Sequence, residues 1–531
     1  MTEQTLHFET KSILISIVLV LVLSYYLLYN HNNSISQRCK SNSKTKTKCS
    51  NSNVNASKSK NNRSKRSTSK QPNSKTQTNK TNMRYAEKSR TATCSFADRA
   101  ARIVLEKYKS SCPLHLQTSY QQTVLAGFLI EDLTQETLTC VALGVGTKYL
   151  SHSVIETDPE SKRIRDSHAE ILAKRSLQHY LYTQIEDTLS KSKSKSKSNP
   201  NTKQETIFTP HPLFPNVPIG EHPFVLLDTI RLHFYSSSVP CGNASIKRWA
   251  HPKRPPYHDL PPTKYPIISH PSFHIMQPEQ GQVALLVKKE QGIGGTHEEL
   301  LQTHHPHIIP VGTAPIHCGL GTTMTCSDKI CIWNAVGVQG CLLSCLIKPM
   351  YMHTCTIGRK FSLKTCQRAM CCRISGFKSD DEMYFVHHPS MLQSSIKFDS
   401  SMVRDKAKTY FLEPRCFWWA SKRSGSGDDS SSTSSSTSSS TGSDSSSGVI
   451  DGTTGLIASN SLSTDISSSC LLQRFQSIYS NEKMKSMYGS VELEALLNSS
   501  LNETKIVCNT MLMTTYNHAK RKLLDSYFKM Q

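Results

Sequence analysis

The stretch Asp166-Ser-His-Ala-Glu-Ile-Leu172 places a histidine two residues before a glutamate, at the start of an apolar run that predicts a helix to about Tyr182. This spacing lets the imidazole of His168 bind a metal ion while the carboxylate of Glu170 reaches a water molecule on that ion. A His-x-Glu pattern this short can occur by chance in a chain of 531 residues, so it does not establish a metal site alone. Without further ligands, Glu170 is a first-turn carboxylate stabilised by the helix dipole.

Two cysteines further along the chain can complete a metal site. Cys241 lies in Ser238-Val-Pro-Cys-Gly242 after a predicted strand, and Cys326 is followed by Ser-Asp and a predicted helix. A thiolate is favoured near a helix N-terminus. A catalytic zinc ion takes three protein ligands and keeps a fourth position for water. His168, Cys241 and Cys326 can supply these ligands, with Glu170 as the base.

The spacing of the cysteines points to one group of deaminases. Ala244 excludes the Pro-Cys-x-x-Cys form of the simpler nucleobase deaminases. The chain resembles the adenosine deaminases acting on RNA, whose cysteine ligands are separated by a long insertion. The motifs that carry the resemblance are Gly144-Val-Gly-Thr-Lys148, Asp166-Ser-His-Ala-Glu170, Ser238-Val-Pro-Cys-Gly242 and Cys326-Ser-Asp-Lys-Ile330.

The resemblance implies a fold and an activity. The implied fold is the cytidine-deaminase-like α/β three-layer sandwich, with a mixed central sheet, helices on both faces and enlargement by insertions. The implied activity is zinc-dependent hydrolytic deamination of adenosine to inosine, with Glu170 as the catalytic residue. Thr147 and Lys148 match a family turn close to the target nucleotide, which implies that they bind substrate.

Within the family, the closest likeness is to the tRNA-specific enzyme that makes inosine next to the anticodon. The run Ala97-Asp-Arg-Ala-Ala101 and the spelling of the histidine motif favour that branch. Ile293 stands where editors of double-stranded RNA carry a glutamate that fills the helix after the base flips. The alternatives are editing of double-stranded RNA by the same chemistry, and a non-catalytic, membrane-tethered RNA-binding protein on the same scaffold.

The family also buries inositol hexakisphosphate beneath the active site. Ile332 stands where duplex editors place a further arginine, so one contact is missing from the implied set. The matching positions here are Arg175, Lys329, Trp333, Tyr516, Lys520, Lys288 and Lys529.

Composition limits the other functions. The chain has 63 Lys and Arg against 40 Asp and Glu, a formal charge of +23, which favours RNA or an anionic membrane surface as a partner. Hydrophobic residues make up 37% of the chain, so a good part of it contributes nothing to a core. The 18 cysteines show no regular spacing, which predicts a reduced, intracellular protein rather than a disulfide framework.

Composition also divides the chain. A short segment, 1–12, precedes an apolar run, 13–29, that predicts a membrane-spanning helix with the catalytic part in the cytosol or nucleus. The alternative is an N-terminal extension with Met83 as the functional start. Residues 30–92 predict a disordered basic tether, and residues 93–531 a deaminase domain. The predicted low-complexity insertions are 188–206, 251–280 and 424–448.

Periodicity predicts the elements around the motifs. Apolar residues at helical spacing predict a helix at 97–108, and two apolar runs predict buried strands at 124–129 and 138–143. Residues 144–148 predict a glycine turn. A further strand is predicted at 225–235, and further helices at 332–346 and 517–529.

Overall fold

A computed structural model describes the part of the chain that carries the motifs. The described residues are 95–117, 121–150, 152–191, 206–218, 220–245, 272–276, 283–287, 324–401, 411–412, 415–422, 445–487, 494, 496–510 and 514–528. The predicted segments 1–12, 13–29 and 30–92 lie outside these residues, and so do Lys288, Ile293 and Lys529.

The predicted membrane anchor needs correction. Crossing a bilayer takes about 20 apolar residues in one helix, and no helix in the described part of the chain is both long and apolar enough. Residues 13–29 themselves lie outside that part. The anchor, and the localisation that depended on it, are therefore withdrawn.

Fifteen strands occur in the described residues. In chain order they are β1 (Gln121–Gln122), β2 (Leu125–Asp132), β3 (Thr137–Val145), β4 (Thr147–Tyr149), β5 (Asp166–His168), β6 (Phe208–Pro210), β7 (Phe224–Leu226), β8 (Ile230–Ser238), β9 (Ser272–Met276), β10 (Val283–Val287), β11 (Met352–Arg359), β12 (Ser390–Gln393), β13 (Phe411–Leu412), β14 (Arg415–Ser421) and β15 (Ser445–Asp451).

Seven of these strands form one mixed sheet in the order β12-β11-β8-β2-β3-β14-β15. Strand β11 pairs in parallel with β8 and β12, and the other neighbours are antiparallel. The remaining strands make two-stranded pairs, of which β4 with β5 matters most here because it carries His168.

Nine α-helices occur in the described residues. They are α1 (Phe96–Ser111), α2 (His152–Glu156), α3 (Ala169–Lys191), α4 (Cys326–Val336), α5 (Leu363–Met370), α6 (Ser468–Tyr479), α7 (Glu482–Lys485), α8 (Leu501–Thr510) and α9 (Tyr516–Leu523).

Helices cover both faces of the sheet. On one face, Val104 of α1 packs in a cluster with Leu129 of the sheet. On the other face, Leu177 of α3 packs in a cluster with Phe128. Burying each side chain of this size stabilises the fold by about 1.5–3 kcal/mol. The arrangement confirms the predicted α/β sandwich with a mixed central sheet and helices on both faces.

Gly144 lets α3 approach the sheet closely. A Cβ atom at this position would lie 2.5 Å from the Ala169 carbonyl oxygen and 2.5 Å from the Ala173 nitrogen. Any larger residue would therefore push the first turn of α3 away from the sheet. The turn predicted at 144–148 begins later than expected, because Gly144 still belongs to β3 and the strand is interrupted at Gly146.

Several predicted boundaries differ from the observed ones. The helix predicted at 332–346 begins earlier, at Cys326, and ends at Gly337, whose φ of 82° interrupts helical geometry. Helix α3 continues to Lys191, into the predicted insertion at 188–206. The insertion predicted as irregular at 251–280 contains β9, which pairs antiparallel with β10.

Candidate active site

Three potential metal ligands converge from distant parts of the chain. His168 closes β5 immediately before α3, Cys241 lies in the turn after β8, and Cys326 is the first residue of α4. Their ligand atoms all lie within 4.8 Å of one another. Two thiols and one imidazole form a donor set that suits zinc, with a fourth position left for water.

Asp166 orients the imidazole of His168. Its Oδ1 lies 2.6 Å from the Nδ1 of His168 and also accepts the His168 backbone N–H at 3.0 Å. Holding Nδ1 in this way leaves Nε2 as the atom that can bind a metal, as in the carboxylate–histidine–metal arrangement. Both side chains are buried.

The Cys241 turn is bonded directly to the start of α4. The backbone N–H of Cys326 donates to the Cys241 sulfur at 3.3 Å, and the N–H of Ser327 donates to the Cys241 carbonyl at 3.0 Å. Gly242 has a φ of 91°, and a Cβ there would lie 1.9 Å from the Thr325 hydroxyl oxygen. Glycine is therefore required between the two cysteine segments.

Glu170 lies in the first turn of α3 and is only 3% exposed. Burial, reinforced by the nearby Cys241, raises the pKa of the Glu170 carboxyl to about 7. A carboxyl whose pKa is close to neutrality can both accept and return a proton.

A buried network around Asp328, which motif spacing did not predict, holds the two cysteine segments together. Asp328 accepts hydrogen bonds from the Asn243 amide at 3.0 Å and the Thr325 hydroxyl at 2.7 Å, and it forms an ion pair with Arg373. Arg368 donates to the Asn243 carbonyl at 2.7 Å. The sequence could have indicated Asp328, because it lies two residues after the predicted ligand Cys326. It could not indicate the partners Asn243 and Arg373, which are distant in sequence.

The two predicted substrate residues lie beside His168, one of the candidate metal ligands. In the β4–β5 pair, Thr147 is opposite His168 and Lys148 is opposite Ser167. The Thr147 hydroxyl is buried and has no hydrogen-bond partner among the described residues. A buried hydroxyl without a partner is costly, which makes Thr147 available to bind a ligand.

A basic cavity of about 620 Å³ lies near the metal ligands. It is lined by five of the seven residues predicted to hold inositol hexakisphosphate, while Lys288 and Lys529 lie outside the described residues. The five are Arg175, Lys329, Trp333, Tyr516 and Lys520.

Two further lysines, Lys174 and Lys505, line the same cavity. Burial, together with Arg175 and other nearby cations, lowers the pKa of Lys174 to about 7. Burial also lowers the pKa values of Lys505 and Lys520. Among the described lining residues, Asp166 is the one carboxylate. Lys174 is next to Arg175 in the sequence, but the packing of α3 decides that its side chain lines the cavity.

Asp166 connects the cavity to the metal ligands. Lys329 lines the cavity and donates to Asp166 Oδ2, while Asp166 Oδ1 holds His168. Arg175 donates hydrogen bonds to the start of α6 and the residues just before it, at the Ser468 hydroxyl (3.1 Å) and the Ile466 carbonyl (2.9 Å). The Lys329 charge in the cavity therefore contacts Asp166, and Asp166 in turn contacts the His168 imidazole.

Comparisons with known proteins agree with this geometry. The chain is 29% identical to the double-stranded RNA-specific editase Adar of Drosophila melanogaster, over 52% of the chain and 35% of that relative. It is 30% identical to the tRNA-specific adenosine deaminase 1 of Drosophila melanogaster, over 48% of the chain and 53% of the relative. The human tRNA-specific adenosine deaminase 1 is 24% identical, over 52% of the chain and 65% of that relative.

The chain thus spans about a third of the length of the double-stranded RNA editase and over half of the two tRNA deaminases. The sequence model of the adenosine-deaminase (editase) domain matches residues 142–529, which include His168, Glu170, Cys241 and Cys326. The chain therefore belongs to the adenosine-deaminase (editase) domain family.

Proposed function

We propose that this chain is a zinc-dependent hydrolase that converts adenosine to inosine in tRNA, at the adenosine 3′ of the anticodon. The observation that carries the proposal is the convergence of His168, Cys241 and Cys326 beside the buried carboxyl of Glu170. On this proposal, residues 93–531 form the catalytic domain.

The donor set fits zinc. Two thiolates and an imidazole are typical zinc ligands, and Asp166 holds His168 with its Nε2 directed away from the Nδ1 hydrogen bond. When bound, zinc would lower the pKa of a coordinated water so that the oxygen can attack the base at neutral pH.

Glu170 moves the protons of the reaction. Its carboxylate takes a proton from the attacking water and delivers it to N1 of adenine. It then takes the second proton of that water, now on the C6 hydroxyl, and gives it to the exocyclic amine, which leaves as ammonia while the C6 carbonyl of inosine forms. The raised pKa, about 7, suits both steps because the group is then partly ionised near neutral pH. Thr147 and Lys148 contact the target nucleotide, since β4 pairs beside His168.

Transfer RNA is the proposed substrate rather than duplex RNA. The match covers 53% and 65% of the two tRNA-specific relatives, but 35% of the double-stranded RNA editase. An anticodon loop presents its adenosine unpaired, so no residue is needed to fill a helix after base flipping. Ile293 agrees with this reading because it cannot form the hydrogen bonds of a glutamate.

We further propose that the basic cavity holds inositol hexakisphosphate. The cavity gathers several cations around one carboxylate, and a lysine with its pKa lowered to about 7 reports an environment that disfavours charge. A polyanion would reverse that preference. Heat-denatured protein should release an inositol phosphate, and protein without bound inositol phosphate would contradict this proposal.

The substrate is tested by assaying inosine in two RNAs with the same protein. We expect inosine in a tRNA anticodon loop and little in a perfect RNA duplex. Glu170→Gln should retain zinc and lose about 10²–10⁴-fold of the rate, the usual contribution of a general acid–base residue. Preferential conversion of the duplex would favour the double-stranded RNA editing alternative, and undiminished activity of Glu170→Gln would refute the mechanism.

A further inference from the structure

A second cluster of potential metal ligands lies outside the active site. Cys371 and Cys372 follow α5 directly, and His388 lies in the segment that leads to β12. Their ligand atoms all lie within 4.8 Å of one another. The proposed deamination uses none of these three residues.

Two of the three distances within this cluster match those around a tetrahedral ion. Zinc–sulfur bonds of about 2.3 Å and zinc–nitrogen bonds of about 2.05 Å place two sulfurs about 3.8 Å apart and a sulfur and a nitrogen about 3.6 Å apart. The observed distances are 3.6 Å between the two sulfurs and 3.7 Å between the Cys372 sulfur and the His388 Nδ1. The two sulfurs are well beyond the length of a disulfide bond, about 2.05 Å.

One buried asparagine holds the two ligand-bearing segments together. The Asn334 side-chain amide donates to the Met370 carbonyl at 2.9 Å, and the Asn334 carbonyl accepts the His387 N–H at 2.7 Å. Met370 and His387 each directly precede a ligand residue. The separation between the thiols and the imidazole is therefore set by two hydrogen bonds of Asn334 in α4, one from its side chain and one to its backbone carbonyl. Such support is what a preorganised site requires.

We propose that Cys371, Cys372 and His388 bind a second, thiophilic d¹⁰ cation, Zn²⁺ or Cu⁺. Soft thiolates with one imidazole select these ions. Cys371 is buried, Cys372 is half-buried and His388 is exposed, so ions can reach the site from solvent and the fourth position of a tetrahedral ion faces outward.

The cation has a structural role in the fold. Arg368 and Arg373 flank the two cysteines, and these arginines hold Asn243 and Asp328 of the active-site network. An ion that joins Cys371 and Cys372 to His388 fixes this arginine-bearing segment against α4. The site therefore acts as a clip that stabilises the support of the catalytic ligands.

The test is the zinc content of the purified, fully reduced whole chain, measured by mass spectrometry. We expect about two zinc ions per chain in the wild type and about one in Cys372→Ser and in His388→Ala. Serine is close to cysteine in size and His388 is exposed, so neither substitution opens a large cavity in the core. Cys470→Ser is the matched control, a half-buried cysteine outside both clusters, and it should keep about two ions.

The results separate this proposal from the proposed function. Cys241→Ser should also lose one ion, but with loss of deamination, whereas Cys372→Ser should retain deamination. If the catalytic ligands bound no zinc, the wild type would hold one ion that Cys372→Ser removes and Cys241→Ser does not.

A second measurement identifies the ion and covers oxidation. Cu⁺ is supplied anaerobically in the presence of a competing chelator. Retention of copper by the wild type, but not by Cys372→Ser, would support the site and identify its ion as copper. Equal metal content in the wild type, Cys372→Ser and His388→Ala, for both zinc and copper, would overturn the proposal. A disulfide between Cys371 and Cys372 in the purified protein would also overturn it.

Discussion

The catalytic centre and the basic cavity are served by the same first turns of α3, yet their charges are balanced differently. In the catalytic centre, Asp328 is paired with Arg373, and Asp166 is bonded to His168. In the cavity, Lys174 and Lys520 have lowered pKa values because burial and neighbouring cations disfavour their charge. The charges of the candidate centre are paired within the protein, whereas the cavity leaves several cations facing one another.

This difference predicts which region gains stability from a bound ligand. Buried charges that are paired and hydrogen-bonded can be retained without a partner molecule. Buried like charges that face one another raise the free energy of the folded state until a counter-ion neutralises them.

The largest effect is expected from breaking the ion pair of the catalytic centre. Arg373→Met leaves the buried Asp328 carboxylate without its cation, which should cost about 3–5 kcal/mol of unfolding free energy. Urea unfolding of wild type and variant measures this loss. The double variant Asp328→Asn/Arg373→Met should be much less destabilised than the sum of its single variants. If the two single costs simply add, the pair is not coupled and the comparison fails.

An intermediate effect is expected at Asp166, which joins His168 to the basic cavity. Asp166→Asn removes the charge that orients His168 and that pairs with Lys329. Loss of such a carboxylate typically lowers metal affinity about 10–100-fold. Competition with a zinc chelator measures the change.

The control for this link is Glu131→Gln. Glu131 also pairs with a histidine, His233, at 3.2 Å, but away from the candidate metal ligands. This variant should keep wild-type zinc affinity. Equal losses in Asp166→Asn and Glu131→Gln would mean that general destabilisation, rather than orientation of His168, causes the effect.

The smallest effect is expected in the cavity and depends on pH. An unfolded lysine has a pKa of about 10.4, whereas that of Lys174 in the folded chain is lowered to about 7. Between these values the unfolded chain binds more protons, so the unfolding free energy of anion-free protein should rise with pH. From pH 7 to pH 9 we expect a gain of about 2 kcal/mol from this residue.

Lys174→Met should remove most of that gain and should stabilise anion-free protein at pH 7, as measured by thermal unfolding at both pH values. Lys107→Met is the control, because Lys107 lies over the Trp419 ring on the face of the sheet covered by α1. Added inositol hexakisphosphate should stabilise the wild type more at pH 7 than at pH 9. A wild type that loses stability between pH 7 and pH 9 would contradict the account of the cavity.

Much of the fold was predictable because its signals are local. Apolar residues at helical spacing predicted α1, which runs from Phe96 to Ser111, and two apolar runs predicted β2 and β3. The helix after Cys326 was misplaced because its apolar residues continue past Gly337, where the positive φ ends the helix. Apolar content alone does not separate a buried helix end from the buried loop that follows.

The sequence by itself determined the chemistry of the candidate centre. His168, Glu170, Cys241 and Cys326 each lie in a short motif whose residue types limit what they can do. Such information needs no knowledge of distant contacts.

Tertiary structure alone decided which charges face one another. The Asp328–Arg373 pair, the cations around Lys174 and the thiol–imidazole cluster at Cys372 and His388 all join segments that are separate in sequence. The physical reason is that electrostatic and metal-binding energies depend on distance and burial. Both are properties of the packed sheet and helices rather than of any single motif.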